Sequence, residues 1–166
     1  LLRSSGALLG AFKHLSEKEK SVLTVDLISE EALKTSEIEG EFLNRDSIQS
    51  SIRKQFGIES SRRKISPAEQ GISEMMVDVY HSFEEPLTQE MLCSWHQMLM
   101  SGRKDLHDLG RWRTHHTPMQ VVSGPIHDPR VHFEAPPSKR VATEMKKFIK
   151  WFNQTEPEGK IPLPPL

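Results

Sequence analysis

Apolar residues recur at three- and four-residue steps in short stretches, and nearly every stretch ends at a glycine or a proline. Val22, Val25, Ile28, Ala32, Thr35 and Glu39 fall on one helical face that Gly40 stops. Ile48, Ile52 and Phe56 form a second stripe closed by Gly57, with Asp46 and Gln49 in capping-box spacing before it. Ser66-Pro67-Ala68-Glu69 is a strong start for a third helix, which Ile72, Met75, Met76, Val79 and Phe83 carry to about Glu85. Thr88 opens a fourth, with Leu92, Trp95 and Leu99 inward and Gly102 at its end. A last helix begins at a Ser138 cap and turns Val141, Met145, Phe148, Ile149 and Phe152 inward. No apolar run approaches the roughly 18–20 residues of a membrane span.

Residues 103–137 break the helical period. Met119–Val122 and Arg130–Phe133 read as two extended runs around a turn-rich tip, a β-hairpin over about 119–133. The fold class expected is therefore mainly α, a helical bundle with one hairpin. Its parts divide as 1–85, a helical region, and 86–166, which carries the hairpin. Residues 1–20 suggest one further helix and a connection, Glu59–Ile65 a basic polar linker, and Glu156–Leu166 an extended proline-rich tail. The missing initial methionine and that tail suggest a piece of a longer protein.

Composition narrows the function classes. Basic and acidic residues number 22 and 23, for a net charge of -1, so no electrostatic pull toward nucleic acid is evident. One cysteine, Cys93, cannot close an internal disulfide and suits the cytoplasm. At mid-helix its default role is a small packed thiol. There is no phosphate loop, no dinucleotide fingerprint and no His-Glu-x-x-His. The eight histidines match no usual zinc spacing, and His132-Phe133-Glu134 lacks the cysteine pair a zinc deaminase needs.

Glu39 carries the most information, and two readings of it stand side by side. It continues the apolar stripe, where a carboxylate needs a cationic or hydrogen-bonding partner. Alternatively it lies one turn beyond the core and is solvated.

Thr35-Ser36-Glu37-Ile38-Glu39-Gly40 resembles the Ser/Thr-x-x-x-Glu-Gly/Asn inhibition motif of Fic proteins, the adenylyltransferase (Fido) family. Residues 34–53 are similar to the N-terminal region of Fic proteins that carry their inhibitory helix in the same chain. Gly110-Arg111-Trp112-Arg113, the hairpin around Val121–Gly124 and the segment Val131–Pro137 resemble the opening and the flap of the Fic domain. The resemblance implies transfer of AMP from ATP to a Ser, Thr or Tyr hydroxyl of a target protein, with Mg2+ as the metal.

Thr35, Glu39 and Gly40 would then be inhibitory, Glu39 pairing with a motif arginine so that ATP cannot take its productive pose. Val122, Ser123, Gly124 and Pro125 would form the flap tip that covers the nucleotide, with the target protein docked on the hairpin edge. Homo-oligomers are a further expectation, and membranes and nucleic acid are not. Arg111 and Arg113 read as structural.

The family's His-Pro-Phe-x-x-Gly-Asn-Gly-Arg signature is absent, and the sequence contains no His-Pro dipeptide. The general base and the magnesium and phosphate ligands would therefore lie outside this chain. A non-enzymatic, antitoxin-like module acting on a separate Fic chain stays open, as does, more remotely, a helical DNA-binding regulator.

Overall fold

A computed structural model describes residues 12–58 and 64–155. The fold is mainly helical with one two-stranded antiparallel hairpin. In chain order the elements are α1 (Glu17–Ile38), α2 (Arg45–Gln55), α3 (Pro67–Ser82), α4 (Gln89–Leu99), β1 (Gln120–Ser123), β2 (Arg130–Glu134) and α5 (Ser138–Phe152). No described helix is long and apolar enough to cross a membrane. The suggested first helix around Leu8, most of the linker and the tail lie outside the described residues.

The chain forms two compact units, one of residues 1–84 and 98–102, the other of residues 85–97 and 103–166. In the first, α1, α2 and α3 pack on one another around Val25, Ile28, Ala32, Ile48, Ile52, Ile72 and Val77. Small polar residues share that interior: Ser29 and Ser73 are fully buried, with Ser36, Ser47, Ser50 and Ser51 nearly so. Their hydroxyls need partners there. Ser29 Oγ donates to the Val25 carbonyl at 2.6 Å, and Ser73 Oγ to that of Glu69 at 2.7 Å. Both serines thus satisfy themselves on their own helix and let a neighbour approach closely. Gly71 shows the limit of that approach, since a Cβ built there would stand 1.9 Å from the Met98 carbonyl oxygen.

Local signals explain where the helices begin. Ser66 caps α3 with Pro67 in the first turn and Glu69 completing a reciprocal capping box, as its sequence predicts. The same device opens α1, where Ser16 and Glu19 cap each other's amides, so the helix starts at Glu17 rather than near Val22. Two expected caps differ. Asn44, not Asp46, caps α2 by accepting the Ser47 amide. Ser138 is the first residue of α5 rather than its cap, because Pro137 holds the cap position without a side-chain bond.

The inward stripe of α1 also needs correction. The buried residues of α1 are Thr24, Val25, Ile28, Ser29, Ala32 and Ser36, whereas Val22 is half-buried and Thr35 and Glu39 are exposed. From Ala32 the four-residue step leads to Ser36, leaving Thr35 at the margin, where its hydroxyl donates to Glu31 at 3.3 Å. Glu39 lies a turn further on, past the last residue that α2 and α3 cover, so the second reading of it holds.

The second unit is less filled. Leu87 is its one buried apolar side chain among the described residues. Asn153 holds the backbone there, accepting the Leu87 amide at 2.8 Å and donating to the Leu87 carbonyl at 2.9 Å. No residue of α5 is buried, and Phe148, Trp151 and Phe152 of its apolar side are exposed.

Candidate functional site

α1 ends in a pattern that fixes how Glu39 is offered. Glu39 is the C-cap, and Gly40 comes next with φ at 82°. The Gly40 amide donates to the Glu37 carbonyl at 3.0 Å, and the Glu41 amide reaches back to Ser36 at 2.8 Å. These are the two bonds of a Schellman motif. A Cβ on Gly40 would meet nothing within 4 Å. The demand for glycine is therefore one of backbone conformation, which asparagine meets next best. That is a physical reason for a Glu-Gly/Asn pair at a helix end.

The electrostatics of this end are one-sided. Carboxylates at 37, 39 and 41 crowd the negative end of the helix dipole, and the last turn holds no basic residue. Glu37 is paired with Lys34 at 2.7 Å and raises that ammonium's pKa. Glu39 and Glu41 form no ion pair among the described residues. Ile38 and Phe42 beside them are each 83% exposed. A guanidinium or ammonium placed here would meet an unneutralised carboxylate framed by apolar side chains.

A shallow concavity of about 230 Å³ lies alongside, lined by Glu30, Leu33, Lys34, Glu37, Leu43 and Arg45 among others. Glu39 is not in its lining, and the groove's own charges are largely spent on the Lys34–Glu37 and Arg45–Glu30 pairs. The exposed helix end is thus the stronger candidate.

The four flap residues lie together in the other unit. Val121 pairs with Phe133, Val122 with Val131 and Ser123 with Arg130, which leaves His132 without a cross-strand partner. The bulge turns that imidazole toward Ser123, whose Oγ stands 2.6 Å from Nε2. Gly124 has φ at 94°, and the Asp128 amide donates to the Pro125 carbonyl at 3.0 Å to close the tip. Every residue of both strands is exposed. The strand edges are open to pairing, and the tip Val122–Pro125 presents backbone rather than charged side chains.

Arg111 pairs with Asp108 at 3.0 Å, and Arg113 donates to the Pro136 carbonyl. Each arginine has a partner within its own unit. No group of three or more His, Cys, Asp or Glu able to hold a metal occurs among the described residues.

One contact escapes the sequence patterns. Asn44 donates its backbone amide to Glu69 at 3.2 Å, across 25 residues. Glu69 belongs to a capping box that the sequence shows, but nothing in either local pattern announces its contact with Asn44.

A family model described as "Domain of unknown function (DUF4172)" matches residues 1–58 of this chain. No curated protein matches it.

Proposed function

We propose that this chain is the inhibitory and target-docking part of a Fic-type protein adenylyltransferase. Glu39 is the inhibitory carboxylate in that reading, and the catalytic motif is supplied outside these 166 residues. The observation that carries it is the end of α1: a Schellman turn through Gly40 that offers an exposed Glu39, with no ion pair among the described residues, at the negative pole of its helix. Such a carboxylate gains by meeting a cation, and a catalytic arginine occupied by Glu39 cannot orient a nucleotide triphosphate.

Glu39 is exposed in this chain, so the gain would come only once the catalytic part covers the pair. Breaking a buried pair commonly costs about 3–5 kcal/mol, and about 1.4 kcal/mol is tenfold, enough to hold the productive state at a per cent or less. The exposed hairpin favours this reading over a separate antitoxin-like module, because an inhibitor alone needs no strand edge for a target. The flap tip Val122–Pro125 would cover ATP, and one cysteine fits action in the cytoplasm.

The test is AMP transfer from labelled ATP with magnesium. The 166-residue chain alone should transfer none. In a protein that joins it to its catalytic motif, Glu39→Gly should raise transfer at least about tenfold. Robust transfer by the chain alone would overturn the placement of the chemistry outside it. An unchanged rate in Glu39→Gly would overturn the inhibitory role.

A further inference from the structure

The turn that offers Glu39 is anchored at both ends. Upstream, the two backbone bonds at Gly40 and Glu41 fix it to α1. Between Glu41 and Asn44 the chain has no helical bonds, Phe42 is exposed, and only Leu43 is half-buried against the core. Downstream, the Asn44 amide is held by Glu69 at 3.2 Å, while the Asn44 side chain accepts the Ser47 amide at 3.0 Å and starts α2.

The same Glu69 carboxylate is also half of the α3 capping box. Its Oε2 accepts the Ser66 amide at 2.9 Å, and its own amide donates to Ser66 Oγ at 3.2 Å. One oxygen therefore starts α3 while the other holds the residue that starts α2. The Arg45–Glu30 pair is a second tie from α1 to α2, but both side chains are about half exposed, and such pairs contribute little.

We propose that Glu69 is the positioning residue of the inhibitory turn, so that the placing of Glu39 is set by α3 and not by α1 alone. The inference rests on Glu39 being the inhibitory carboxylate. Anything that draws the start of α3 away from Asn44 loosens the segment that offers Glu39, which gives the switch a release point outside α1. The ionisation of Glu69 agrees with a held carboxylate. Burial pushes its pKa up, yet the bonds from Ser66 and the Asn44 amide outweigh that and leave it lowered.

Two variants separate this role from ordinary helix capping. Ser66→Ala removes the hydroxyl that caps α3 but leaves the carboxylate on the Asn44 amide. Glu69→Ala leaves the Ser66 hydroxyl on the amide of residue 69 but takes the carboxylate away from the Ser66 and Asn44 amides alike. Amide exchange followed by NMR on the 166-residue chain should show Asn44 and its turn exchanging about tenfold faster in Glu69→Ala, a loss of roughly 1.4 kcal/mol of local protection. In Ser66→Ala the increase should stay within the first turn of α3. Amides of Val25–Ala32 should remain protected in both.

Identical exchange patterns in the two variants, or general loosening in Glu69→Ala, would overturn the proposal. In a protein carrying the catalytic motif, Glu69→Ala should raise AMP transfer above Ser66→Ala. If it does not while Glu39→Gly does, Glu69 has no part in inhibition and the proposal falls alone. If Glu39→Gly is also silent, the inhibitory reading falls and takes the proposal with it.

Discussion

At the residue scale, Gly40 decides whether Glu39 is a helix residue or a helix end. Its left-handed backbone closes the Schellman bonds, and the space beside it is open. Gly40→Val should therefore cost roughly 1–2 kcal/mol through conformation alone, and Gly40→Asn a fraction of that. Thermal melting of the two variants checks the order; equal losses would point to a steric role instead. The motif's residues are legible in the sequence because the glycine stop and the helical spacing are local signals. The exposure of Thr35 and Glu39 is not. Spacing gives the direction a side chain takes from its helix axis, but cover depends on how far α2 and α3 reach along α1, which no local pattern encodes.

At the element scale, helix starts are readable where a hydroxyl and an acid three residues later supply both halves of a box, as at Ser66 and Glu69. Ser16 and Glu19 form the same pattern inside a charged run that reads as a connection, and the start of α1 is hidden for that reason. Both box glutamates have lowered pKa values: Glu19 through its bonds to Ser16, Glu69 through bonds that overcome burial. A depressed carboxylate contributes stability that is complete above its ordinary value of 4.5 and is lost as pH falls through the lowered folded value. The melting temperature should hold from about pH 7 to 5 and then decline in acid. The double variant Glu19→Gln, Glu69→Gln should flatten that decline, and an unaltered acid slope would show that other carboxylates control it.

At the scale of the whole molecule, the two units differ in how well they are closed. The first buries Val25, Ile28, Ala32, Ile48, Ile52, Ile72 and Val77 among its own helices, while Leu27, Ile38, Phe42 and Phe83 stay exposed at its surface. The second leaves Phe133, Phe148, Trp151 and Phe152 at 59%, 40%, 48% and 49% exposure, the last three clustered together on α5. Concentration-dependent association that survives high salt is the expected result in sedimentation. Phe148→Glu with Phe152→Glu should suppress it, and a monodisperse wild-type monomer would count against the expectation. The family match presents a related boundary. It ends at residue 58, yet Ile72 and Val77 of α3 complete the core around Ile48 and Ile52. The matched stretch is a segment of sequence rather than a self-sufficient folding unit.

The near-contact of Gly71 with Met98 extends that point to the way the chain is threaded. Residues 98–102 return to the first unit after the chain has passed through the second over residues 85–97. A knife drawn at 58 or at 84 would therefore remove the backbone of Met98, which comes so near Gly71 of α3 that no side chain fits there. The smallest piece that keeps every surface of the inhibitory unit must run through Gly102. A cut placed before Met98 therefore leaves the inhibitory unit incomplete, whereas one placed after Gly102 keeps all of its residues.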